Sequence, residues 1–234
     1  MIFIAADKTK LGRVYNNGSA TFINTESQKL IVTCRHVYEE YERLKDRDSA
    51  VALAITGSGH SRPFVISDAI VVSRGQREID LITLRLPDPS SVERAGKRYF
   101  LGYCWPPKRT SKGEGVLVTG FPGEHRIIAN HKFTAVMDSL SLQVSSSSEK
   151  HFCMADDIED DPRFVTKILK DIPDLKTLGG MSGAPVWRWD MRETITCPAL
   201  AGFVYESSVD GINSTVFAHH SDFIESDGSI RAMP

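Results

Sequence analysis

Thr177-Leu178-Gly179-Gly180-Met181-Ser182-Gly183-Ala184-Pro185-Val186-Trp187 is the most informative stretch of the chain. A serine flanked by glycines just before an apolar strand lets the backbone approach closely and aim two N–H groups at one spot, as an oxyanion hole requires. Taken alone, the segment reads equally well as an ordinary Gly-Ser turn before a strand. Two segments nearer the N-terminus change its weight. Leu30-Ile31-Val32-Thr33-Cys34-Arg35-His36-Val37 is an apolar strand ending in a polar turn that carries a histidine. Glu78-Ile79-Asp80-Leu81-Ile82-Thr83-Leu84-Arg85-Leu86 sets an aspartate at the head of a strand. Together they offer a base, an orienting acid and a nucleophile in the chain order His36, Asp80, Ser182.

The rest of the 234 residues reads as strand after strand. Short runs of Val, Ile, Thr and Phe recur at Ala20–Ile23, Leu30–Thr33, Val51–Ile55, Phe64–Val72 and Leu81–Leu86. They resume at Gly115–Thr119, Phe133–Val136, Leu140–Val144, Ala184–Trp187, Ala199–Val204 and Thr215–Ala218. Gly, Asn, Asp, Ser or Pro clusters bound each run, the pattern of an all-β sandwich or barrel. Helical spacing occurs only at Val37–Asp46 and Phe164–Lys170, which argues against α/β alternation. Pro87–Gly115 reads as a connection with one further strand at Tyr99–Tyr103, placing a boundary near residue 100.

The three ordered segments resemble those of the trypsin-like, or chymotrypsin-fold, serine peptidases. Thr33–His36 matches the family's Thr-x-x-His, Asp80–Thr83 its Asp-(Ile/Leu)-Ala-(Leu/Val), and Gly180–Pro185 its Gly-x-Ser-Gly-x-Pro. Ser19–Ile23, Gly120–Gly123 and Leu200–Val204 resemble three further family strands and turns, so the likeness spans nearly the whole chain. In style it looks closest to bacterial Deg/HtrA-like members, without a PDZ domain. The resemblance implies an all-β single peptidase domain over residues 1–234, with two six-stranded antiparallel β-barrels. Residues 1–100 would hold His36 and Asp80, residues 101–234 would hold Ser182, and the active site would lie in the cleft between them.

It further implies that Ser182 attacks the scissile carbonyl of a polypeptide, His36 moves the proton and Asp80 orients the imidazole. The backbone N–H groups of Gly180 and Ser182 would hold the oxyanion, and no cofactor or metal is needed. Lys176 would lie at the base of the primary pocket, favouring an acidic side chain before the scissile bond. Tyr205, Glu206 and Ser207, with Thr215, would contact an extended substrate. Met181, standing where zymogen-activated members carry an aspartate, argues against activation by N-terminal cleavage. A latent peptidase ordered by an activating protein partner, and a peptide-binding module without catalysis, stand as alternatives. An esterase of the α/β-hydrolase type is disfavoured, because it needs the order Ser, Asp, His.

The remaining features exclude more than they assign. A formal net charge of −2 with no basic block gives no electrostatic footprint for nucleic acid. No run approaches the length of a membrane span, and Met1–Lys8 lacks the form of a secretory signal, which predicts a cytoplasmic chain. Cys34, Cys104, Cys153 and Cys197 are too scattered for a zinc motif and are expected to be free, mostly buried thiols. Cys34, two residues before His36, reads better as a core thiol than as a nucleophile. The acidic run Asp156–Asp161 reads as a solvated loop rather than a calcium site. His60, His125, His131, His151, His219 and His220 each read as structural or surface histidines.

Overall fold

The apolar tetrapeptide Ile2–Ala5 forms strand β1, buried along its whole length between Val14–Gly18 (β2) and Ala52–Ile55 (β5). Its side chains alternate between two cores: Ile2 and Ile4 face one, Phe3 and Ala5 the other, so no polar residue interrupts the run. The computed structural model describes residues 1–5, 14–56, 63–76, 78–102, 104–123, 126–129, 132–135, 137–155, 179–210 and 213–233.

Thr21–Asn24 (β3) and Lys29–Thr33 (β4) form a hairpin closed by the Thr25 N–H on the Gln28 carbonyl, with Glu26 at φ 73°. Residues 35–47 (α1) cross over next. Val37, Tyr38 and Tyr41 cover the core, and Lys45 and Arg47 lie in the last turn, where the helix dipole favours cations. Phe64–Val65 (β6) pairs with β5, Ile70–Arg74 (β7) and Ile82–Arg85 (β8) pair with each other, and β8 pairs with β4. The short helix Ser90–Arg94 (α2) leads to Phe100–Leu101 (β9), which runs parallel to β3.

These strands make two sheets, β2-β1-β5-β6 and β7-β8-β4-β3-β9. They share one apolar core, with Ile2, Ile4, Leu53 and Ile55 meeting Ile31, Ile82 and Leu84. Among the described residues their ladders do not join into the closed six-stranded barrel expected of residues 1–100. The expected strand Phe64–Val72 is broken by a turn, the Ala69 N–H bonding the Ile66 carbonyl and Ser67 Oγ accepting from Leu53 N–H. That turn separates β6 from β7 and puts them in different sheets.

The second half closes as expected. Gly115–Gly120 (β10), Asp138–Ser147 (β13), His151–Ala155 (β14), Pro185–Arg192 (β15), Ile195–Asp210 (β16) and Asn213–His220 (β17) form a barrel in the order β10-β13-β14-β17-β16-β15. Each neighbouring pair is antiparallel. Arg126–Ala129 (β11) and Lys132–Ala135 (β12) form a separate hairpin. Val116, Val118, Leu142, Val144, Phe152, Met154, Val186 and Val216 fill the barrel, alternate residues pointing inward. A third cluster joins the halves, packing Ile23, Leu30, Val32, Ile79 and Leu81 against Leu200, Phe203, Phe223 and Ile224.

All four cysteines are free thiols, although only Cys34 is buried, which corrects the expectation that most would be. No helix among the described residues is long and apolar enough to cross a membrane. The expected helix Phe164–Lys170 and the acidic run Asp156–Asp161 lie outside the described residues.

Candidate functional site

Thr33 ends β4 inside the protein, and the chain turns at once into α1, so His36 emerges on the helix's first turn at the surface. Asp80 lies just before β8, the neighbour of β4, and ladder pairing carries it to the same end of the sheet. One carboxylate then holds the histidine twice. Asp80 Oδ2 lies 2.5 Å from His36 Nδ1, and Asp80 Oδ1 accepts the His36 backbone N–H at 3.0 Å. The Arg35 N–H adds a bond to the Asp80 carbonyl at 3.3 Å. With Nδ1–H facing the carboxylate, Nε2 is left free to accept a proton, and the His36 side chain is half exposed.

The Gly179–Ala184 turn is fastened to this end of the sheet through its backbone carbonyls. The Ser182 carbonyl accepts from Ser19 N–H at 2.8 Å, and the Gly183 carbonyl accepts from Thr21 Oγ at 3.1 Å. Gly183 has φ +88°, and a Cβ there would stand 2.2 Å from the Ser19 carbonyl oxygen and 2.7 Å from Thr33 Oγ1. Only glycine permits this approach. Gly180, at φ +94°, is confined too, a Cβ there standing 2.7 Å from Asn17 Nδ2 and from the Phe121 carbonyl oxygen.

The Val204 carbonyl ties the two segments together, accepting from Gly183 N–H at 2.7 Å and from the Cys34 thiol at 3.1 Å. The Gly179–Ala184 turn and the histidine turn thus share one acceptor. Among the described residues, neither Gly180 N–H nor Ser182 N–H donates a hydrogen bond. No hydrogen bond joins Ser182 Oγ to His36 among the described residues.

Cys34, His36 and Asp80 also have ligand atoms within 4.8 Å of one another, a grouping that could hold a metal ion. Burial, followed by the nearby Asp80 charge, pushes the Cys34 thiol well up, against a weaker pull from the Gly183 N–H. A thiol held neutral and spent on a carbonyl suits neither a metal ligand nor a nucleophile. The core reading of Cys34 fits this setting.

The expected substrate contacts divide. Tyr205, Glu206 and Ser207 lie on β16 and Thr215 on β17, where Ser207 pairs with Val216 and Thr215 with Ser208. Glu206 is exposed, and the other three are half-buried. Lys176 lies outside the described residues.

One contact of this site has no counterpart in the sequence reading. His219 on β17 accepts the Asp80 backbone N–H at its Nε2, at 3.0 Å, and its Nδ1 lies 3.1 Å from the Lys150 carbonyl. It is buried, and Tyr205 stacks on it at 4.1 Å between ring centroids with an 18° tilt. Strand register alone brings residues 80 and 219 together, and no local motif announces it.

No protein-family model matches the chain, and no curated protein matches it. Solved structures do: 167 chains match. One is described as "Aromatic interactions drive the coupled folding and binding of the intrinsically disordered Sesbania mosaic virus VPg protein". It has a TM-score of 0.52 at 12% identity, over 95% of this chain and 87% of that one. At that identity the likeness is one of fold.

Proposed function

We propose that the chain is a serine endopeptidase of chymotrypsin-like fold, the two-sheet half and the barrel flanking one active site. Ser182 is the nucleophile, His36 the general base and then general acid, and Asp80 the residue that orients the imidazole. The observation that carries this reading is the double hold of one carboxylate on His36, at Nδ1 and at the backbone N–H. It fixes the tautomer in which Nε2 receives the serine proton.

In the first step the Ser182 oxygen bonds to the scissile carbonyl carbon while its proton passes to His36 Nε2, and the carbonyl oxygen takes the negative charge. Gly180 and Ser182 N–H groups stabilise that oxyanion; losing one such donor typically costs about 3 kcal/mol of transition-state stabilisation. His36 then protonates the leaving amine, giving an acyl-enzyme that water hydrolyses by the same route in reverse.

Substrate binding has support of its own. The β15–β16 ladder ends at Pro185 opposite Phe203. Beyond it, among the described residues, Glu206 and Ser207 pair with β17 on one side, Tyr205 is left out of that ladder, and none of the three pairs with a strand on the other side. An extended peptide would complete that edge. Lys176, six residues before the nucleophile, would select an acidic side chain.

A fluorophosphonate probe tests the triad. Labelling of the wild type that is abolished in both Ser182→Ala and His36→Ala is the expected outcome. A folded wild type that stays unlabelled overturns the constitutively active form and favours the latent one, with the missing Ser182–His36 hydrogen bond made only when a partner or substrate closes the site.

A further inference from the structure

We infer that His219 is a positioning residue for Asp80, a strut from the barrel that sets the height of the carboxylate under His36. The inference rests on the peptidase reading and deepens it. Asp80 belongs to the half that carries His36, whereas His219 belongs to the half that carries Ser182. A bond between them fixes the acid of one half against the wall of the other.

The imidazole's two nitrogens have different tasks. Nε2 faces the Asp80 N–H and accepts from it, so the proton sits on Nδ1 and is donated to the Lys150 carbonyl. Neighbouring His220 lies on the opposite face of β17 and donates from Nε2 to the Ser148 carbonyl at 2.9 Å. The paired histidines therefore clamp one turn, Ser148–Lys150, between β13 and β14. That turn also reaches the Asp80 loop directly through an ion pair between Lys150 and Glu78.

Tyr205 supplies the remaining wall. The β16 ladder slips between Val204 and Glu206, leaving Tyr205 as the extra residue, and a bulge of this kind re-aims its side chain. Here the ring lies flat on His219. Phe223 closes another side edge-on at 6.3 Å. The charged and titratable groups around the imidazole are Asp80, His151, His220 and Tyr205. Burial dominates among these influences and lowers the His219 pKa to about 4, so the neutral, accepting form holds at neutral pH.

The test combines a readout of the bond with a readout of the site. Imidazole ¹⁵N NMR of the wild type should show His219 with a bare Nε2 and a protonated Nδ1. In His219→Phe, which keeps a flat ring but no acceptor, the His36 Nδ1 proton signal should shift or broaden. Fluorophosphonate labelling should slow about tenfold. His219→Gln, whose amide oxygen reaches the place of Nε2, should recover most of both. A protonated Nε2 overturns the inference, as does a His36 signal unmoved in His219→Phe or a glutamine variant no better than phenylalanine. Should His219→Phe not fold, the wild-type tautomer and the glutamine variant still decide. If the wild type does not label at all, the constitutively active reading fails, while the NMR measurements still report on the strut.

Discussion

Both oxygens of Asp80 accept a hydrogen bond from His36, one from the ring and one from the backbone, so an amide in its place can satisfy only one of them. Asp80→Asn should therefore leave the fold nearly intact and slow acylation by roughly 10³–10⁴-fold, as the imidazole turns to the wrong tautomer. Stopped-flow or timed labelling against the wild type measures this; a loss under tenfold would show that the aspartate does not orient the base. His219 makes a separate prediction, on stability. The unfolded histidine takes up a proton near pH 6.5, but native His219 refuses it until about pH 4. The unfolded state thus binds more protons between these values. The contribution is whole above pH 6.5 and is lost as pH falls towards 4, by about 3 kcal/mol in all. His220 is shifted the same way by burial and keeps its own share. Urea midpoints at pH 7 and pH 4.5 should converge in His219→Gln relative to the wild type.

At the scale of elements, the link between β2 and β3 grips the Gly179–Ala184 turn. Ser19 is buried, its Oγ donating to the Gly180 carbonyl at 3.0 Å and accepting from the Phe121 N–H at 3.2 Å. Ser19→Ala leaves both groups short of a partner, at a cost of about 1–3 kcal/mol. Because one of them belongs to the proposed oxyanion loop, labelling should fall by more than the stability loss alone explains, a difference visible by labelling well below the melting temperature. Which elements the sequence disclosed follows from how they are buried. β3, β4, β8, β10 and the inward faces of the barrel alternate or end in turn residues, and they were legible. β1 gives no strand signal in the sequence, because a segment buried on both faces has no alternation to show. β14, His151–Ala155, carries only Phe152 and Met154 inward, too short a run to signal a strand. The single strand expected over Phe64–Val72 ignored the Ser67-Asp68 turn. The pairing of His36 with Asp80 is legible because motif and strand edge coincide, whereas the contact of His219 with Asp80 depends on β17 register across 139 residues and has no local signal.

For the molecule as a whole, the decisive feature is the cluster that belongs to neither half. Phe203 on β16 and Phe223 after β17 are fully buried with Ile23, Leu30, Val32, Ile79 and Leu81 of the first half. Removing the barrel would expose that face of the two-sheet half, whose ladders do not close into a ring among the described residues. The halves should accordingly unfold together. Phe203→Ala, deep in the shared cluster, should cost about 3–5 kcal/mol. The loss should appear equally in tryptophan fluorescence, which reports on Trp105, Trp187 and Trp189 of residues 101–234, and in amide exchange of β4 and β8 in the first half. Calorimetric and van't Hoff enthalpies should agree for wild type and variant alike. Two separate transitions, with only the fluorescence-detected one displaced by Phe203→Ala, would mean that the halves are independent bodies. A triad shared between them could then not be held by the fold alone. Coincident transitions would instead make the His36–Asp80 pair and the Ser182 turn parts of one cooperative unit, in which a contact such as Asp80–His219 can transmit strain from one side of the site to the other.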